Sequence, residues 1–139
     1  MRMSTFRRIV LMLALSALAL AAAGCGGDGG EPIVFGEGEI PSSVPDDLPI
    51  PPGAVVGSTM VDRVNHRTEF AVTLAQEAAA VVQYYTVNLV SSGFVVDSSA
   101  GDPLGTWRIE FSRGELRGSI VIQPGGSGLT ALVVGLNVS

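Results

Sequence analysis

Residues 105–123 read GTWRIEFSRGELRGSIVIQ and carry a clear strand pattern. Apolar and polar residues alternate along both halves of it, which predicts two strands joined by a tight turn. A two-residue turn at Arg113-Gly114 brings the apolar side chains to one face, in the pairs Phe111 with Leu116, Ile109 with Gly118 and Trp107 with Ile120. It also sets Glu110 opposite Arg117 on the wet face. A turn one residue longer would put Arg117 and Ser119 in the core, so the alternation favours this register.

The same period of two predicts further strands on both sides of this hairpin. They lie at about 55–61, 68–74, 94–96 and 129–138. Turn-like residues around His66 separate the first two, and aligning their apolar faces permits a loop of two or four residues. The shorter loop would set Asp62 opposite Glu69, a like-charge pair, so we expect the four-residue loop. Residues 98–103 are expected to form a loop.

One helix is predicted, over about Gln76–Ser92. Its apolar stripe repeats at spacings of four, three and four, through Ala78, Val82, Tyr85 and Leu89. Thr73 with Gln76 is the pattern of a capping box, and Gly93 stands where a left-handed residue ends a helix. A lone amphipathic helix needs a sheet to cover its apolar stripe.

The element order β-β-α-β-β-β-β predicts a single α+β domain over residues 48–139. We expect a mostly antiparallel sheet of five to six strands, with the one helix packed on one face. The last strand is apolar on both faces from Leu129 to Leu136. If that strand is central it belongs to the core, and if it is an edge it needs a partner to cover it. The sequence leaves the order of the strands open.

The N-terminus has the organisation of an export signal. Residues 1–24 begin with Arg2, Arg7 and Arg8, continue as an apolar run and end in small residues. The uncharged run from Ile9 to Ala23 has 15 residues, whereas a helix that spans a bilayer needs about 20. An ordinary secretory signal and an uncleaved anchor are the alternatives.

The end of this segment, Ala22-Ala23-Gly24-Cys25, resembles the lipobox of bacterial lipoproteins. The resemblance implies cleavage before Cys25, whose thiol would carry a diacylglyceryl group and hold the protein on the extracytoplasmic face of the cell membrane. The family usually has leucine three residues before the cysteine, where this chain has Ala22. The start Pro52-Gly53-Ala54, the pair Tyr84-Tyr85 and the later Gly93-Phe94 are similar to small extracytoplasmic lipoprotein domains, which implies a fold and no catalytic residue.

Residues 25–47 are expected to be an acidic, Gly/Pro-rich tether that begins with the lipidated Cys25. From residue 26 onward the segment carries six acids and no base. Glycine, proline and like charges all disfavour regular structure, so the tether is predicted to be flexible. Ile33-Val34-Phe35 is its one apolar stretch, and a short docking segment is the alternative there.

Composition excludes several classes of function. The 139 residues carry a net charge of −5, and after residue 24 five arginines face thirteen acids, a net charge of −8. So acidic a domain, which lacks lysine, is not expected to bind nucleic acid. The single Cys and single His exclude an intramolecular disulfide and a zinc site rich in those residues.

No catalytic or metal-binding group is predicted, and no cofactor. His66 falls in the first hairpin turn, where a histidine is usually solvated. Asp97 and Asp102 bracket a loop that could face a hard cation, but the loop lacks the acid density and closing glutamate of a calcium site. We interpret it as an ordinary polar loop.

The leading hypothesis from the sequence is a non-enzymatic, membrane-anchored binding or accessory module. Its partner would be an envelope protein. The alternative is a carrier that holds a lipid or other apolar ligand between helix and sheet. Its pocket would be lined by the large apolar residues predicted on the inner faces, Tyr85, Leu89, Trp107, Phe111 and Leu132. The plainer interpretation of these residues is that they fill the core. An enzyme is the third possibility.

Overall fold

The computed structural model describes residues 30–139. The predicted signal peptide, Cys25 and the first part of the predicted tether lie outside the described residues. Residues 31–139 form one compact unit, which contains the whole of the sheet and the core described below.

The unit is a seven-stranded antiparallel sheet with one helix, which confirms the α+β class. In chain order the elements are β1 (Ile33–Glu37), β2 (Val55–Asp62), β3 (Arg67–Leu74), α1 (Ala78–Ser91), β4 (Val95–Gly101), β5 (Trp107–Arg113), β6 (Leu116–Gly126) and β7 (Leu129–Val138). The order across the sheet is β1-β2-β3-β7-β6-β5-β4, and every neighbouring pair is antiparallel. The sheet therefore has seven strands, and not the five to six expected.

The last strand, β7, lies at the centre of the sheet between β3 and β6. Its residues Thr130, Leu132, Val134 and Leu136 point to the helix side and are buried. Its other face is open to solvent, with Val133 exposed to 45%. Because β7 is central, both of its edges are paired with neighbouring strands, although only its inner face is buried.

Helix α1 begins two residues later than predicted, with Glu77 as N-cap, so the expected capping box of Thr73 and Gln76 does not form. The helix ends as expected: Gly93 has a φ of +82°, and the N–H of Phe94 donates to the carbonyl of Leu89. This is the bond pattern of a Schellman stop. The side chains buried by the helix are Val81, Tyr85 and Leu89.

The core lies between α1 and the sheet. Its buried apolar members come from the helix, from β3 and from β5 to β7, and the largest fully buried ones are Tyr85, Phe70, Phe111, Leu74, Leu89, Ile109, Ile120, Ile122 and Leu132. Phe94 packs edge to face on Phe111, with 5.4 Å between the ring centroids. This filled layer joins the helix to the centre of the sheet.

The structure differs from the predicted flexible tether from Ile33 onward. Residues 33–37 form strand β1, which pairs with β2 and makes one edge of the sheet. Residues 38–54, called the strap below, then cross the helix side of the sheet and bury Val44 and Leu48. Three turns shape the strap, because the carbonyls of Pro41, Pro45 and Pro51 each accept the N–H three residues on.

Two hairpins test the predicted registers. In β2–β3 the loop has four residues and Asp62 lies opposite Arg67, as expected. In β5–β6 the turn residues are Gly114-Glu115 rather than Arg113-Gly114, so Phe111 lies opposite Gly118 and Glu110 opposite Ser119. The predicted register was wrong by two residues. An even shift keeps every side chain on its face, so the alternation alone could not exclude it.

Strand β4 is longer than predicted. Residues Ser98 to Gly101, expected in a loop, pair with β5 as far as Trp107, and the ladder is interrupted at Asp97. The Trp107 side chain lies directly over Gly101, where a side chain would collide with the indole ring. Residues 98–101 have low intrinsic β-propensity, so their strand conformation follows from pairing with β5 and from the contact between Gly101 and Trp107.

Candidate functional site

One corner on the helix side of the sheet is left uncovered. Helix α1 starts beside β7, where Thr130 Oγ1 donates to the carbonyl of Gln76 at 2.6 Å, and it ends above β5, where Arg113 Nη1 donates to the carbonyl of Ser92 at 3.1 Å. The helix therefore crosses the sheet diagonally. Its 14 residues span about 21 Å, whereas the 10 residues of β7 span about 34 Å. The far end of β7 lies beyond it.

The strap closes this corner on one side only. Ser43 Oγ and Thr68 Oγ1 are 2.7 Å apart, so the strap passes over β3 at that point. It then reaches the end of β5, where Asp47 forms a two-bond ion pair with Arg113, at 2.6 and 2.9 Å. Between the strap and the β2–β3 loop the sheet is left open.

A pocket of about 390 Å³ occupies this corner. Its apolar wall comes from three strands, through Val61, Leu116, Leu136 and Val138. Its polar rim comes from the strap, the β2–β3 loop and β3, through Ser43, Asp62, Arg63, His66 and Thr68. An apolar pocket of this size with a few polar groups at its mouth is typical of a site for a small ligand.

The β2–β3 loop brings three polar side chains to the mouth of the pocket. The carboxylate of Asp62 accepts the N–H groups of Val64 and Asn65, both at 3.0 Å, and the side-chain amide of Asn65 at 2.6 Å. These bonds hold the pKa of Asp62 below its usual value, the Asn65 side chain contributing most. Arg63 and His66 are exposed in the same loop. The rim therefore combines a guanidinium and an imidazole with one carboxylate whose hydrogen bonds lie within its own loop.

His66 is fixed by its backbone. Its φ is +51°, a left-handed conformation that is uncommon outside glycine, and its carbonyl accepts the N–H of Val138 at 3.2 Å. The sequence placed His66 in this turn, and the structure places it there. What the sequence did not indicate is that the turn borders a pocket, or that Val138 forms the opposite wall.

The five residues predicted to line a pocket between helix and sheet belong to the core or pack against it. Tyr85, Leu89, Phe111 and Leu132 are buried in the core to 2% exposure or less. Trp107 is half-buried, and its indole N–H donates to Ser99 Oγ at 2.8 Å. None of the five lines the corner pocket. The hydroxyl of Tyr85 is buried with no hydrogen-bond partner among the described residues, and burial raises its pKa.

The open face of the sheet carries a second, polar cleft of about 460 Å³. Its charged side chains alternate in sign along adjacent strands, through Arg67, Glu69, Asp97, Arg108, Glu110 and Arg117. Arg67 pairs with Glu69, and Arg117 donates to the carbonyl of Gly114 at 2.7 Å. These internal bonds are those of a solvated sheet face.

The acids considered for a cation have structural roles. Asp97 accepts the hydroxyl of Ser112 at 3.1 Å, and Asp102 accepts the N–H groups of Leu104 and Thr106. Within residues 30–139, no three His, Cys, Asp or Glu side chains are grouped to hold a metal ion. In the same residues, no helix has both the length and the apolar character to cross a membrane.

Comparisons of the chain with protein-family models, with curated proteins and with solved structures gave no match.

Proposed function

We propose that this protein is a lipoprotein of the cell membrane, anchored through Cys25 on the extracytoplasmic face, and that it works as a non-enzymatic binding module. The anchor is supported by the basic start, the apolar run and the lone cysteine after small residues. The binding role is supported by the corner pocket, an apolar cavity with a polar rim that neither the helix nor the strap covers. An envelope protein or an apolar ligand would be the partner.

The ordered N-terminal part shortens the distance between anchor and domain. The N–H of Arg63 donates to the carbonyl of Pro32 at 2.8 Å, so the chain is held to the sheet from residue 32 onward. Six residues lie between Cys25 and Pro32, and the seven steps of extended chain that join them span at most about 25 Å. The connection between the proposed anchor and the sheet would thus be short.

Substitution of Cys25 tests the anchor. In the Cys25→Ser variant no thiol is present to accept a diacylglyceryl group, so we expect the protein to lose its acyl chains and its stable membrane attachment. Detergent partitioning and immunoblotting of fractionated cells, after labelling with a fatty acid, measure both. Ser16→Cys combined with Cys25→Ser is a matched control, because it restores a thiol away from the motif. Unchanged labelling and distribution of Cys25→Ser would contradict the proposal.

A carrier of an apolar ligand is the second candidate. The observation that favours it is the apolar wall of the corner pocket, where Val138 is exposed to 47%. Native mass spectrometry of residues 26–139, purified gently from the bacterium that makes the protein, tests it. The fragment contains the whole core and sheet, so it contains everything that packs in the fold. A carrier would show a reproducible adduct of lipid size, and a bare protein would contradict the carrier role.

A further inference from the structure

The corner pocket combines two kinds of surface that one class of ligand matches. Its wall is apolar, and Leu136 at its base is exposed to only 4%. Its mouth carries two groups that can donate to an anion, the guanidinium of Arg63 and the imidazole of His66, beside the carboxylate of Asp62, which is hydrogen-bonded within its own loop. We infer that this pocket binds a single-chain amphiphile with an anionic head, of the fatty-acid class, with its chain on the apolar wall and its head at Arg63 and His66.

The chain of such a ligand would lie along the end of the sheet. Val61, Leu136 and Leu116 come from three strands and continue the apolar face of the core past the point where Ser43 crosses Thr68. Contact with a hydrocarbon chain would remove this apolar surface from water. The pocket, about 390 Å³, is at the small end of the usual range for ligand sites, about 300 to 1,000 Å³. One hydrocarbon chain suits it better than two.

The head of the ligand would meet the β2–β3 loop. Arg63 donates one N–H to the carbonyl of Glu31, at 3.4 Å, which leaves most of its five donors free. His66 offers a ring N–H in either neutral tautomer. The nearest acid, Asp62, accepts three hydrogen bonds from its own loop. An oxyanion at the mouth would therefore accept hydrogen bonds from Arg63 and His66, whereas the Asp62 carboxylate keeps its negative charge and opposes an anion that approaches it directly.

The place of the pocket also suits this ligand. Arg63 lies on its rim and holds Pro32, from which the chain leads back to Cys25. If the proposed anchor is correct, this short connection limits how far the domain can stand from the bilayer, where amphiphiles are concentrated. The inference rests on the proposed function for this location only, since binding itself does not need the anchor.

Titration of residues 26–139 with decanoate tests the inference. This fragment lacks Cys25, so a covalently attached acyl chain cannot be mistaken for bound ligand. We expect saturable binding by calorimetry, with the largest amide shifts in NMR spectra at residues of the pocket such as Val61 and Val138. Decanol should bind at least tenfold more weakly, because it lacks the anionic head. Acetate should not bind, because it lacks the hydrocarbon chain.

Two pairs of variants measure the contributions of the apolar wall and of the polar rim separately. Val138→Asn should weaken decanoate binding at least tenfold, whereas Val133→Asn, an equally exposed valine on the other face of the same strand, should leave it unchanged. Arg63→Gln should weaken decanoate and not decanol, and Arg108→Gln on the open face is its control. Absence of saturable binding, or equal effects within either pair, would overturn the inference. A failure here leaves the Cys25 test unaffected, and the reverse also holds.

Discussion

Phe111 and Gly118 lie opposite each other across the β5–β6 hairpin, and the Phe111 ring occupies the space that a side chain at residue 118 would need. A Cβ built on Gly118 would collide with three carbons of that ring. The backbone of Gly118 is ordinary extended chain, so the glycine is required by the ring and not by its dihedral angles. The pair therefore fixes the register of the hairpin from the core side.

We predict that Gly118→Ala destabilises the domain by about 1–3 kcal/mol, because the added methyl group overpacks a filled core. Denaturant unfolding measures the change in the free energy of unfolding. Gly57→Ala on β2 is the control, since a Cβ there would meet nothing closer than 3.8 Å. Equal losses in the two variants would show that the Phe111 ring does not occupy this space.

The strap supplies a second prediction. Val44 lies within the segment that composition marks as a flexible tether, yet it is exposed to only 6%. Val44→Ala should therefore reduce the free energy of unfolding by about 2 kcal/mol, from lost burial and a small cavity. Val64→Ala, at a valine exposed to 68%, should change it little. A silent Val44→Ala would mean that the strap does not contribute to the core.

The ion pair of Asp47 and Arg113 should make part of the stability depend on pH. The hydrogen bonds from Arg113 lower the pKa of Asp47 in the folded protein, so the contribution is complete above the ordinary aspartate pKa of about 3.9. It is lost as the pH falls through the lowered folded value. The difference in stability between the wild type and Asp47→Asn should thus be present at neutral pH and vanish in strong acid.

Urea unfolding of both proteins across this pH range, at low salt, measures that difference. Salt should reduce it, because the pair is partly exposed. Asp46→Asn, at the neighbouring exposed carboxylate, is the control. A difference for Asp47→Asn that stays constant between neutral and strongly acidic pH would show that the charge of Asp47 is not involved.

Removing the hydroxyl group of Tyr84 and that of the adjacent Tyr85 should change the free energy of unfolding in opposite directions. Tyr84 donates to the carbonyl of Ile50 at 2.9 Å, whereas the buried hydroxyl of Tyr85 has no partner in residues 30–139. Tyr84→Phe should destabilise the domain by about 1 kcal/mol, and Tyr85→Phe should stabilise it by about 1–2 kcal/mol. Thermal and denaturant unfolding check both. A less stable Tyr85→Phe would reveal a partner for that hydroxyl inside the core.

The fold could be predicted where one face of an element is buried. Alternation identified the strands from β2 onward and the stripe of the helix through Tyr85 and Leu89. Alternation did not identify β1, because this strand has only five residues, in a segment rich in glycine and acids, and these show no clear alternation of apolar and polar residues. It also missed the strap, since the partner of Asp47 is 66 residues away. The register of β5–β6 depended on Phe111 lying opposite Gly118, a pair on the inner face that an alternation of period two cannot distinguish from a pairing shifted by two residues.

The pocket was harder to predict, because its residues come from four separate parts of the chain. Alternation places Leu116 on the inner face of the sheet, which is correct, and its neighbour Val138 shares that face. Their exposure follows from lengths: a 14-residue helix is shorter, at about 21 Å, than the strands it covers. The large inner residues, Tyr85 and Leu132, attracted the ligand hypothesis by size and lie instead in the filled core.

We propose that the mature protein begins at a lipidated Cys25. Intact-mass spectrometry of the protein extracted from membranes measures both its first residue and its acyl groups. We expect the mass of residues 25–139 plus a diacylglyceryl group, with or without a third acyl chain. An unmodified mass that starts at any other residue, or a mass that retains residues 1–24, would contradict the account.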